Sequence, residues 1–125
     1  MFYTIISIIF ISLNAIIGFN KVRLGESMIM VLAKAIPNDE SAKEKVIEFA
    51  QDLIAKSKAE DGNVDYNLFE NTGDGSLMFV EQWESKEILG AHLQTEHFLN
   101  FGANIDGLLA DELEINVFDA EATDL

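Results

Sequence analysis

The chain has 125 residues, 49% of them apolar, enough for one domain with a core of its own and too many apolar side chains for a disordered protein. It has no cysteine, which excludes disulfides, thiolate metal sites and a thiol nucleophile, and its net charge of −14 excludes nucleic acid as a partner, because such binding depends on neutralising phosphates. The one arginine, Arg23, lies upstream of the domain, so no guanidinium fork is available there to grip a phosphate or carboxylate.

Residues 1–27 stand apart. Phe2 to Phe19 are almost wholly apolar and rich in isoleucine, near the lower limit for crossing a bilayer. Three readings fit this stretch. It is an upstream segment that is not translated, the chain starting at Met28; or a membrane anchor; or a secretory signal, which lacks the usual leading positive charge and small-residue cleavage site. On the first two readings the domain is cytoplasmic, Lys21 and Arg23 holding it inside in the anchored case, and membrane contact is expected only if residues 1–27 are translated.

The domain is expected over residues 28–118. Met28 to Ile36 reads as a first strand, apolar on both faces, ended by Pro37-Asn38. A helix follows, with Ser41 and Glu44 in capping-box spacing and a stripe of Val46, Phe49, Ala50, Leu53 and Ile54, stopping at Gly62. Val64 to Glu70 is a half-buried strand with Tyr66 and Leu68 inward. Asn71 to Ser76 is a hairpin turn around Gly73-Asp74-Gly75, and Leu77 to Trp83 is a third strand, apolar on both faces at its start. Ser85 caps a short helix bearing Ile88, Leu89, His92 and Leu93. Thr95 caps another with Phe98, Phe101, Ile105, Leu108 and Leu109. The last strand, Leu113 to Phe118, alternates Leu113, Ile115 and Val117 with polar residues, and residues 119–125 form a solvated acidic tail.

The order βαββααβ, with strands one and three apolar on both faces, predicts an α+β, ferredoxin-like sheet in which those two are central and the alternating strands are edges. Helices cover one face of such a sheet. The other is expected to be covered by a second copy, in a homodimer.

Phe79, Glu81 and Trp83 share one face of a central strand, so a carboxylate sits between two aromatics in a semi-buried layer and needs a partner. The only histidines, His92 and His97, are near in sequence and are candidate partners. A near-neutral imidazole oriented by a carboxylate beside an aromatic-lined space is suited to removing a phenolic proton. The same residues also fit plainer roles: the histidines as hydrogen-bonded core or helix-end residues, Glu81 in a salt bridge with a lysine, and Tyr66, Trp83 and Phe98 as core packing. Two histidines five positions apart lack a third ligand at metal-site spacing, and there is no phosphate-cradling glycine loop and no dinucleotide fingerprint.

The run Val80-Glu81-Gln82-Trp83-Glu84-Ser85, followed by Ala91-His92-Leu93-Gln94-Thr95-Glu96-His97-Phe98, closely resembles the antibiotic biosynthesis monooxygenase family, and within it the bacterial quinol monooxygenases. The resemblance spans Met28 to about Phe118. It implies a dimeric α+β barrel that oxygenates quinols or similar reduced aromatics with O2 and no cofactor or metal, and it carries over Glu81, Trp83, His92, Thr95 and His97. On this reading His92 and His97, with Glu81, are the proton-transfer residues, and Trp83, Tyr66, Phe79, Phe98, Phe101 and Thr95 surround a small aromatic substrate. The chain departs from the family in having Glu96 where proline is usual. It also has Lys34 near the place where haem-degrading relatives carry asparagine. Two further readings stay open: a binding module that holds an aromatic metabolite without turnover, and an isomerase of a small phosphorylated sugar.

Overall fold

In the computed structural model residues 25–125 are described, so the expectations for residues 1–24, including their translation and any anchor, fall outside the described residues. Ser27–Ala120 form one unit by their contacts, and the functional residues below all belong to it. Among the described residues no helix is long and apolar enough to cross a membrane.

Strand β1 (Ser27–Ala35) puts Ile29, Val31, Ala33 and Ala35 on one face, all buried, and the less buried Met30, Leu32 and Lys34 on the other. Helix α1 (Glu40–Lys58) begins one turn after Pro37. Its cap is Asp39, whose Oδ1 accepts from Ala42 N at 2.8 Å, and not Ser41 as expected. The carboxylate is already in extended backbone two residues past the proline and bonds an orphan amide more strongly than a hydroxyl. Val46, Ala50 and Leu53 form the buried stripe; Phe49, expected in it, lies at its edge and is exposed.

Gly62, at φ +85°, turns the chain from the helix into β2 (Asn63–Glu70), where Val64 and Tyr66 face inward. The turn to β3 (Leu77–Trp83) is held by side-chain caps, Asn71 Oδ1 accepting from Gly73 N at 2.7 Å and Asp74 Oδ1 from Ser76 N at 2.9 Å. Strand β3 alternates without a break, with Leu77, Phe79, Glu81 and Trp83 buried. Helices α2 (Lys86–His92) and α3 (Glu96–Asn104) are capped by Ser85 and Thr95, as read from the sequence, and β4 (Glu114–Glu121) ends the fold.

The sheet order is β2-β3-β1-β4, with β3 antiparallel to both β1 and β2. The doubly apolar strands are therefore central, and the fold is α+β and ferredoxin-like. Cross-strand partners share a face, so Val31, Glu81 and Tyr66 form one row under the helices, and Ala33, Phe79 and Leu68 the next. Met30, Leu32, Lys34, Met78, Val80 and Phe69 lie on the opposite face. The last strand is less buried than its alternation suggested. Ile115 and Val117 are each 50% exposed, because they flank a hollow that the helices leave open.

Candidate active site

The row Val31–Glu81–Tyr66 is the floor of the site. Two residues apart on one face of β3, Glu81 and Trp83 are close enough for the indole to reach back, and Trp83 Nε1 donates to Glu81 Oε1 at 3.0 Å. Glu81 is 6% exposed, and among the described residues its carboxylate is in none of the ion pairs. Burial pushes its pKa up to about 7; the Trp83 hydrogen bond opposes that shift, and the charge of Glu60 adds to it. The phenol of Tyr66, opposite Glu81 on β2, is likewise pushed up, first by burial and then by the charge of Glu81.

The expected partnership of Glu81 with the histidines is not what forms. The carboxylate that joins them is Glu60, in the loop between α1 and β2: its Oε2 lies 2.6 Å from His92 Nδ1 and 2.9 Å from His97 Nε2. The register explains the exchange. Trp83 is already within reach of Glu81 on the same strand, while Gly62 brings the preceding loop alongside the α2–α3 corner. Gly62 packs against Ile88 of α2 so closely that a Cβ there would lie 2.8 Å from Ile88 Cγ2. Nothing in the spacing of Glu60 marked it; the nearby glycine, read only as a helix stop, was the available signal.

His92 is 1% exposed and sits in an aromatic cage, its ring centroid 4.4 Å from Trp83, 5.2 Å from Phe98 and 5.5 Å from Tyr66. Donation from Nδ1–H to Glu60 puts the free lone pair on Nε2, which is buried and has no hydrogen-bond partner among the described residues. Burial lowers the pKa of His92, and the hydrogen bond and charge of Glu60 offset only part of that. Thr95 ties the corner together: its Oγ1 accepts from Phe98 N at 3.3 Å and donates to the carbonyl of His92 at 2.7 Å.

Glu60, His92 and His97 are also the one group of three among the described residues whose ligand atoms converge, all within 4.8 Å of one another. Two histidines and a carboxylate suit a divalent transition metal. Their present spacings are hydrogen-bond lengths, so one carboxylate oxygen satisfies both imidazoles as they stand.

Above the floor lies a cavity of about 110 Å³. Of the residues expected around a substrate, Tyr66, Phe79, Phe98 and Phe101 line it, together with Glu81. Trp83, Thr95, His92 and His97 do not; they form the layer behind that wall. Val31, Ala33, Leu89 and Leu113 complete the apolar interior, and the partly exposed Leu93, Ile115 and Val117 form the rim. Among the described residues Glu81 is the only charged one of the lining, and Lys34 lies on the opposite face of the sheet. Chemically, the hollow suits a flat apolar molecule with one polar end, directed at the Glu81–Tyr66 pair.

The chain matches known proteins over this same region. The family model for antibiotic biosynthesis monooxygenase covers residues 28–104. YcnE of Bacillus subtilis is 32% identical over 87 residues, 69% of this chain and 92% of YcnE. The solved structure of Rv0793 from Mycobacterium tuberculosis superposes with a TM-score of 0.71 at 27% identity, covering 78% of this chain and 97% of Rv0793. A solved antibiotic biosynthesis monooxygenase gives a TM-score of 0.69 at 25% identity over 75% of this chain and 99% of its own. With the model covering most of the chain and the fold agreeing, the chain belongs to the antibiotic biosynthesis monooxygenase family.

Proposed function

We propose that this protein is a cofactor-independent monooxygenase of quinol-like or polyphenolic aromatics. The observation that carries the reading is the aromatic-walled cavity with a single carboxyl group on its floor. A volume of about 110 Å³ suits one aromatic ring, and the open rim leaves space for a second, fused ring to extend toward Leu93 and Val117. Apolar walls favour both the ring and dissolved dioxygen, and they exclude the water that would quench a reactive anion.

The electron balance is consistent with a reaction that needs no external reductant. When a quinol ring C–H becomes C=O, the substrate supplies all the electrons that reduce O2. One oxygen atom enters the ring and the other leaves as water. The protein then has to position the substrate, manage its protons and keep the site dry. A phosphorylated sugar would find no cationic side chain among the described residues of this lining, which disfavours the isomerase reading.

The same proposal includes a homodimer and a cytoplasmic location. Met30, Leu32, Met78, Val80 and the 55% exposed Phe69 give the sheet face opposite the helices an apolar centre, with Lys34, Asp65, Asn67 and Gln82 around it, which a second copy would cover. Light scattering should return twice the chain mass, and Leu32→Lys with Val80→Lys should shift it to monomer or aggregate.

The activity is tested by oxygen uptake with a chemically reduced naphthoquinone. Uptake above the spontaneous rate is expected, and it should be lost in Val117→Trp, which fills the rim from an exposed position and leaves the core untouched. Uptake equal to that of buffer, or unaffected by the plugged rim, would overturn the reading.

A further inference from the structure

We propose that Glu81 is the catalytic proton shuttle of the cavity, taking the substrate's phenolic proton through Oε2 and returning it to the peroxide formed later, while the two histidines position the wall behind it. This deepens the reading of the cavity as a quinol site and rests on it.

Three observations converge on this side chain. Glu81 lines the cavity, whereas His92 and His97 do not. Both imidazoles are hydrogen-bonded to Glu60 Oε2, so the nitrogens they turn toward that carboxylate are engaged. Trp83 Nε1 occupies Glu81 Oε1, which fixes the carboxylate plane and leaves Oε2 for a ligand. Tyr66, directly opposite in register, lines the same floor, and its phenol, pushed up by burial and by the charge of Glu81, does not compete for the proton.

The steps balance around one proton. The quinol O–H bond breaks, its proton going to Glu81 Oε2 and its electron pair staying on the quinolate oxygen. The quinolate passes one electron to O2, and the resulting semiquinone and superoxide combine, forming a C–O bond at a ring carbon that still carries hydrogen. Glu81 then protonates the distal peroxide oxygen. The ring C–H bond releases its proton, its electron pair forms C=O, the O–O bond breaks, and the departing hydroxide takes that proton as water. Quinol and O2 are consumed, the oxygenated quinone and water are produced, and Glu81 ends as a carboxylate.

A group used first as base and then as acid works best when its pKa is near ambient pH, and burial places Glu81 there, at about 7. The titratable groups around it are few. Tyr66 faces it from β2, and the charge of Glu60 acts on it from the loop before that strand. His92 is stacked on Trp83, with His97 beyond it. The cavity-lining residues of α3, β1 and β4 carry no ionisable group.

The test is Glu81→Gln, which keeps the size of the side chain and an acceptor for Trp83 Nε1. Binding of oxidised menadione is followed by quenching of Trp83, the single tryptophan of the chain, and turnover of the reduced compound by oxygen uptake. The wild-type rate is expected to rise with pH through a limb near 7. Glu81→Gln should still bind menadione, lose that limb and slow turnover by about a hundredfold or more. The limb should persist in His92→Gln, whatever that variant's rate. If the wild type turns over the quinol and Glu81→Gln is as fast, or if the limb disappears with His92 instead, the assignment to Glu81 is wrong and the functional reading stands. If the wild type binds menadione and turns over no quinol, both are wrong.

Discussion

Glu60 Oε2 lies 2.6 Å from His92 Nδ1 across 32 residues of sequence, and the same oxygen holds His97. That single carboxylate fixes the tautomer of the buried ring and staples the α2–α3 corner to the end of α1. Removing it in Glu60→Ala leaves an imidazole N–H buried and unpaired at His92, so a loss of about 3 kcal/mol is expected in chemical denaturation. Because Glu60 is what holds the pKa of His92 up against burial, that pKa should also fall further in Glu60→Gln, as read from the ring protons by NMR.

Glu81 and His92 should impose opposite pH trends on stability. The pKa of Glu81 rises from 4.5 in the unfolded chain to about 7 in the fold, so between those values the native state holds the extra proton. Its contribution is complete below 4.5 and is lost as pH rises through 7, amounting to about 3 kcal/mol at most. Denaturation curves across that range should show the decline in the wild type and a flatter profile in Glu81→Gln.

His92 acts from the other side. Unfolded imidazole takes its proton at 6.5, and the folded one only at lower pH, so in that window the unfolded state binds more protons. Stability should therefore fall as pH drops below 6.5, and the part of the fall due to this residue should vanish in His92→Gln. Thermal melts of the variant and the wild type in the same buffers separate the two contributions.

Gly62 is the backbone hinge that delivers Glu60 to the histidines. At φ +85° any side chain is strained, and its Cβ would press on Ile88. Gly62→Ala should cost about 2 kcal/mol by equilibrium denaturation. It should also loosen the Glu60 bonds, seen as faster exchange of the His92 Nδ1 proton.

Much of the fold was legible because strand burial writes itself into alternation. Val31 and Phe79, on strands apolar on both faces, had to be central, and Ser85 and Thr95 are caps wherever an apolar run follows them. The cap of α1 was misread because Asp39 and Ser41 both suit that role, and only the path after Pro37 decides between them. In the site, Tyr66, Phe79, Phe98 and Phe101 were recognisable as aromatics on inward faces. The pairing of Glu60 with His92 was not, since it depends on a loop closing over a corner, a relationship that no periodicity encodes. Trp83 and the histidines were expected around a substrate and are not among the residues that line the cavity, because side chains that share a face need not share a surface.

The most direct measurement is turnover of a reduced naphthoquinone under isotopically labelled dioxygen, with mass analysis of the product and the solvent water. One labelled atom in the quinone product and the other in water is the expected result. An unlabelled quinone formed with stoichiometric hydrogen peroxide would contradict oxygenation in the cavity above Glu81.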